Sequence, residues 1–437
     1  MRALIFLAAA ALLVFGPFQR TFLDADRYGY MTDIMPSDWK ATNVWLEAAD
    51  CALERGAWLA VCDDGKLVPI SERAIADDPG HALLLGLWAM AKRSPATLVD
   101  VARLNTLVDT LGLLALAGLA WAMRAWLTAL VVLWLGPVEF LGWMGTSPHW
   151  AFIGLVCLAA ILPLALAARE LGLLSRRPAN AWIVAGVAFL ALATLMREAI
   201  GLMGVMVTVA VAVVLLLRGK RLVPLLPVLA AAVLAFNAPK GVVLARDAAL
   251  PMQPAQRLAT HGLSHTLYLG LGFVENRWGI RYDDDHGEEI ANRNGVVFCS
   301  PEYFRLMWKL YLGRWAEAPA EVTRIYLEKA WMLLGKPTLH PGPPFGLVLG
   351  LALLHLGLAT ALGAWRRIGF EQGEAIEGVA AMFAGLFLAQ AMAALPSHNY
   401  AMPVNAFVLV LFGVLLEFAA RAGWTALRRR RAAPSVS

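Results

Sequence analysis

Apolar positions along this chain come in long blocks, not in the two-residue alternation of strands or the one-sided stripe of surface helices. The blocks Ala3–Phe15, Leu104–Met123, Ala125–Trp143, Trp150–Ala168, Ala181–Met196, Ile200–Leu217, Leu222–Phe236, Phe345–Trp365, Gly378–Leu395 and Val404–Leu416 read as spanning helices. With flanking residues each reaches the roughly 20 residues that a bilayer crossing needs. The pattern thus predicts an all-α polytopic membrane protein of about ten transmembrane helices, one domain over residues 1–437, with no 20–50-residue internal repeat. Two long polar segments interrupt it, at about 19–103 and 237–344. In the first, "PSDWKATNVWLEAADCALERG" offers Ser37 or Asp38 as an N-cap ahead of an apolar stripe. In the second, "PEYFRLMWKLYLGRW" and "PAEVTRIYLEKAWMLL" set aromatic and apolar residues at helical spacing, for example Phe304, Met307, Trp308 and Tyr311. Such helices either lie in the headgroup plane, apolar face down, or pack on one another.

Composition sharpens the class. Hydrophobic residues make up 59% and charged residues 16%, against about 25% charged in a soluble chain. The net charge of +5 is therefore read through topology and not as a nucleic-acid signal. Lys and Arg alternate between connections. Arg2, Arg124, Arg169, Arg176, Arg177, Arg218, Lys220, Arg221, Arg366, Arg367 and the basic 421–437 tail fall on one side, predicted to be cytoplasmic with both termini. The opposite turns "GTSPHW" and "LPSHNYA" have none, and only "MREAIG", through Arg197, breaks the rule. The run after Arg2 lacks a small-residue cleavage site, so an uncleaved first helix is expected. Cys51 and Cys62 share one polar segment on the side where an oxidising compartment would permit a disulfide; spacing alone leaves pairing open.

Candidate chemistry gathers at that non-cytoplasmic side. Asp24 and Asp26, in "FLDADRYGYM", stand where the first helix leaves the membrane, and partial desolvation there would make a carboxylate a better proton acceptor. The alternative is a solvated helix end. Arg197 with Glu198 is a second constellation, suited to a phosphate or carboxylate through the guanidinium fork, or to a local ion pair. The stretch from His261 to Glu289 mixes His261, His265, Tyr268, Asn276, Trp278, Tyr282 and Asp283 with glycines, a composition suited to a sugar-binding wall. His149, His398 and Tyr400 add polar groups at the same level. No cofactor is called for; a divalent cation on Asp283–Asp285 and His286 is the alternative to a solvated turn.

These residues also carry a resemblance. A first helix leading straight into a long loop headed by acidic residues, followed by a second large loop late in the chain, resembles the GT-C class of integral-membrane glycosyltransferases, which includes protein mannosyltransferases and the aminoarabinose transferase of lipid A. "DADRY" resembles that class's Asp-Glu-x-Arg-Tyr pattern, with Asp24 in the first acidic place and Ala25 departing from the second. "MREAIG" is similar to its arginine-bearing mid-chain turn, and "HTLYLGLGFVENRWGIRYDD" to a stretch found in bacterial members. The resemblance implies a polyprenyl-phosphate-linked sugar donor, a lipid, glycan or protein acceptor, and an inverting transfer at the periplasmic face. Asp24 or Asp26 would then be the base, and Arg197 would stabilise the departing phosphate. It further implies two periplasmic loops with membrane-parallel helices; high Ala, Leu and Arg usage with no N-x-[ST] sequon fits a bacterial inner membrane. Two other classes stay open: an O-antigen ligase or polymerase-like enzyme, which does not need the acidic first loop, and a non-enzymatic transporter or scaffold, for which Glu139 would be a buried charge.

Overall fold

The computed structural model describes residues 2–14, 40–73, 79–140, 152–252, 257, 262–337, 342–394, 396 and 398–432. These residues are overwhelmingly helical. Six helices are long and apolar enough to cross a membrane: α4 (Leu98–Ala122), α6 (Phe152–Glu170), α7 (Arg176–Met196), α8 (Glu198–Leu217), α16 (Glu371–Ala393) and, within α17 (His398–Ala432), Val404–Arg429. A bent pair, α9 (Leu226–Phe236) and α10 (Ala238–Ala249), meets the same criterion when joined. Shorter apolar helices, α1 (Arg2–Leu13), α5 (Trp126–Phe140) and α15 (Phe345–Ala361), lie at the other three expected crossings.

Several helices overrun the expected boundaries: α7 starts five residues before Ala181, α16 seven before Gly378, and α17 extends on both sides of Val404–Leu416. Two further departures have a local reason. The second expected crossing begins six residues early, at Leu98. Asp100 accepts hydrogen bonds from the backbone N–H (2.8 Å) and hydroxyl of Thr97, closing the first turn. The expected second loop opens as helix α10 after a 48° bend at Asn237. Pro239 follows two residues on; it has no N–H to carry the ladder through, so the axis turns there.

An all-α reading also missed one feature. Ala60–Asp63 (β1) and Lys66–Pro69 (β2) form an antiparallel hairpin pairing Ala60 with Pro69 and Asp63 with Lys66. Its two turn residues, Asp64 (φ 44°) and Gly65 (φ 81°), both adopt positive φ, as the Asp-Gly dipeptide favours in tight hairpins. The hairpin is tied to α2 (Lys40–Arg55) by a Cys51–Cys62 disulfide, with Cα atoms 5.3 Å apart. Together with α3 (Gly80–Lys92), α2 and the hairpin enclose a small core around Trp45, Ala49, Val61 and Leu85.

The main core lies between the spanning helices, and α6 is its axis: from Phe152 to Ala168 every residue is buried. Helix ends sort into two faces. At one, Glu417 of α17 accepts the free N–H groups of Trp126 (3.2 Å) and Thr128 (3.1 Å) at the start of α5. Arg421 donates to Glu417 and to the carbonyls of Arg124 and Gly369, and Arg218 pairs with Glu374. The connections carrying Arg124, Arg218, Arg366 and Arg367 meet here, so this is the basic face. At the other end lie the starts of α4, α6, α8 and α15 and the ends of α7 and α16, with the described parts of both long polar segments. This is the loop face.

The late segment folds around its own core. Helices α11 (Gly262–Gly270), α12 (Asp284–Arg293), α13 (Pro301–Glu317) and α14 (Pro319–Leu334) bury Tyr268, Tyr303, Met307, Val322 and Ile325. Met307 and Tyr311 of the expected membrane-facing stripe belong to that core, whereas Trp308, Leu312, Leu327 and Trp331 stay exposed.

Candidate functional site

At the loop face α7 and α8 are joined by one residue, Arg197. Its backbone is extended (φ −158°, ψ 102°) and serves as the C-terminal cap of α7 and the N-terminal cap of α8. The Arg197 N–H donates to Ala193 (2.7 Å), and its carbonyl accepts from Ile200 and Gly201. Glu198 is the first residue of α8, where a carboxylate complements the positive end of the helix dipole. The Arg197 guanidinium lies 5.4 Å over the Phe152 ring, the first residue of α6. Helix α3 also arrives here by its N-terminus: a Cβ on Gly80 would stand 2.7 Å from the Leu195 carbonyl, so only glycine allows this contact. Three helix N-termini, those of α3, α6 and α8, therefore meet beside one guanidinium. Partial positive charge at these ends adds to the arginine and suits an anion, with Glu198 on α8 and Asp109, which takes the Gly154 N–H of α6, complementing part of it.

Beneath this point runs a buried polar column that the sequence reading passed over. His81 is fully buried, stacked on Trp45 with ring centroids 4.3 Å apart and planes 8° from parallel. Its Nε2 meets Asn105 Oδ1 at 3.0 Å, so the neutral ring carries its proton there; among the described residues Nδ1 has no hydrogen-bond partner. Burial, opposed by the Asn105 bond and reinforced by the Arg197 charge, pushes His81 down to about 4. One turn further into α4, Asp109 is buried and accepts from the Gly154 N–H at 2.7 Å. Gly154 permits this because a Cβ there would fall 2.3 Å from the Val108 carbonyl. Asp109 thus caps α6 from a neighbouring helix. Asp109, the one charged residue in the Leu104–Met123 block, was the available signal, since intramembrane carboxylates are costly enough to require a reason.

On the same face, the connection between α16 and α17 is held by two lysines. Lys329 of α14 is fully buried and donates to the carbonyls of Gly270 (2.8 Å) and Ala393 (3.3 Å), with Tyr326 5.6 Å below the ammonium. Burial lowers it to about 7. Lys336 donates to the Pro396 carbonyl, and burial lowers it as well. Lys329 occupies the middle of a buried Val322, Ile325, Leu333 stripe, a cation on an apolar helix face that was visible in the sequence and not used.

The remaining expected residues separate into groups. Tyr268 belongs to the late core. His265 is buried there too, its Nδ1 2.7 Å from the Tyr303 hydroxyl and its Nε2 3.2 Å from Asp284. Asn276 staples its own turn: Oδ1 accepts from the N–H groups of Trp278 and Ile280, and Nδ2 donates to the Val274 and Ile280 carbonyls. Trp278 is flanked by Arg277 and Arg314, each 5.5 Å from its ring. Tyr282 is partly exposed and meets Phe273 edge-on. Asp283 caps α12 by accepting from the Asp285 N–H. The stretch is thus tied largely to itself, and of its described candidate residues Tyr282 and Asp283 are the exposed ones. Asp24, Asp26, His149 and His261 lie outside the described residues, as do the side chains of His398, Tyr400 and Glu139. Among the described residues no group of three or more His, Cys, Asp or Glu side chains could hold a metal ion. No family model matches the chain, and neither the curated proteins nor the solved structures contain a match.

Proposed function

We propose that the chain is an inverting glycosyltransferase that moves a sugar from a polyprenyl-phosphate donor to a hydroxyl acceptor at the loop face. The observation that carries this reading is the guanidinium of Arg197 set among the N-termini of α3, α6 and α8. Such a cluster would hold the donor phosphate and stabilise the charge it gains on leaving. Both long polar segments end on this face, and α1 runs towards it from the basic face, where the Phe6 ring lies tilted 5.0 Å from that of Trp121. In the sequence, α1 is followed by the segment that carries Asp24 and Asp26.

In the reaction, Asp24 or Asp26 removes the proton of the acceptor hydroxyl as its oxygen bonds to the anomeric carbon. The carbon–oxygen bond to phosphate breaks from the opposite side, polyprenyl phosphate departs, and configuration inverts. Holding two amphiphilic substrates at one interface removes much of the entropic barrier.

Ten crossings, with the loop face periplasmic and both termini cytoplasmic in a bacterial inner membrane, complete the reading. Two independent features support this orientation. The Cys51–Cys62 disulfide belongs to the loop-face segment, as oxidising compartments favour, and the arginine-rich connections gather at the opposite face. The test is transfer activity in membranes for Asp24→Asn and Asp26→Asn. At least one substitution abolishes transfer while insertion is unchanged; full activity in both refutes the reading, and would favour a ligase-like enzyme.

A further inference from the structure

We propose that the last turns of α17 form a binding site for anionic lipid headgroups at the basic face. Helix α17 has 35 residues, about 52 Å at roughly 1.5 Å per residue, far more than the roughly 30 Å of a hydrocarbon core. Arg421 marks where the bundle ends, since it is committed to Glu417 and to the carbonyls of Arg124 and Gly369, with its guanidinium 4.7 Å over Phe370.

Beyond Arg421 the helix continues to Ala432 with a composition unlike either a spanning or a soluble helix. Trp424 is 55% exposed and Leu427 41% exposed, so this stretch presents apolar surface past the bundle rim. The Arg428 guanidinium lies 5.2 Å over the Trp424 ring, and Arg428 and Arg429 are exposed. Arg430 and Arg431 extend the run to four. From Arg421 to Arg428 the rise is about 10 Å, roughly the depth of one headgroup layer. Tryptophan then sits at the hydrocarbon boundary, where such rings concentrate, and Arg428 and Arg429 reach the phosphates.

Charge selects the occupant. Arg366 and Arg367, exposed and just ahead of the Gly369 carbonyl that Arg421 holds, add to the same positive surface. Of the nearby carboxylates, Glu374 and Glu417 are neutralised by Arg218 and Arg421, which leaves Glu371, exposed at the start of α16, against the surplus of arginines. A lipid phosphodiester with net negative charge matches this surface, and guanidinium can grip it with two parallel hydrogen bonds. A zwitterionic headgroup offers the phosphate without net charge.

The full-length protein is embedded in equimolar phosphatidylcholine and phosphatidylglycerol, extracted into mild detergent, and its retained lipids are counted by native mass spectrometry. Phosphatidylglycerol is retained over phosphatidylcholine. Replacing all four arginines, Arg428 to Arg431, with serine lowers that ratio by at least about fivefold, the value expected for losing even one surface arginine. Replacing all four with lysine largely keeps it, and added salt weakens it. Should the serine variant fail to insert, the pair Arg428→Ser and Arg429→Ser decides by the same ratio. Equal retention of both lipids by the native chain, or an unchanged ratio in an inserted serine variant, overturns the proposal and points to an acidic protein or nucleic acid as the occupant.

Discussion

The buried histidine beneath Arg197 makes an acid-sensitivity prediction that can be worked through. In the folded chain His81 is neutral, donating through Nε2 to Asn105 while Nδ1 faces no described acceptor. Protonation would place a charge in a fully buried ring, near the Arg197 cation. The folded group therefore binds its proton only at about pH 4, where an unfolded histidine binds it near 6.5. Between those values the unfolded chain holds the extra proton, so stability falls as pH drops through that window and levels off below about 4. At roughly 1.4 kcal/mol per pH unit the full effect is about 3 kcal/mol, with about 2.5 kcal/mol already lost at pH 4.5. His81→Gln keeps an amide donor for Asn105 and cannot titrate in this range. It loses the Trp45 stack, about 1 kcal/mol at neutral pH. The assay is thermal unfolding in detergent from pH 7.5 to 4, native chain against variant. The two curves should converge and cross as pH falls. If their difference stays constant across the window, His81 is not the neutral buried group described here.

Other outcomes follow from the same contacts. Removing the Cys51–Cys62 cross-link by Cys51→Ser, or by reductant, frees the hairpin from α2; protease resistance of that segment drops by about 2–3 kcal/mol of local stability. Lys329 binds its proton at about 7 when folded, against 10.5 unfolded, so the unfolded chain holds the extra proton between those values. Stability contributed by the late segment accordingly rises with pH through that window, and Lys329→Met flattens the rise in a pH series of melting curves.

What the sequence disclosed was set by how strongly each feature depends on local pattern. Apolar blocks are local, so α6 and α8 were visible to within two residues and the end of α7 to the residue, while its polar first turn from Arg176 was not; Arg197 stood out as a charge in a turn otherwise free of Lys and Arg. The bend after α9 and the early start of α4 depend on Pro239 and on the Thr97–Asp100 cap, local signals that a hydropathy window averages away. The hairpin carried an Asp-Gly signature inside a segment read only for helices. Tertiary partners were harder. Nothing near His81 announces Trp45 or Asn105, which lie 36 and 24 residues away in the chain, and Asp109 gains its meaning only beside Gly154. Conversely, aromatic richness around Trp278 suggested an open wall, whereas Asn276, Arg277 and Arg314 use much of that polarity to hold the segment to itself.

The most direct measurement of the central claim is mass spectrometry of lipid co-purified with the native chain and with Arg197→Ala. The account predicts a polyprenyl-phosphate-linked sugar on the native protein, depleted at least tenfold when the guanidinium is removed. A native chain that carries no such lipid when the donor is supplied, or an alanine variant that retains it undiminished, contradicts the account.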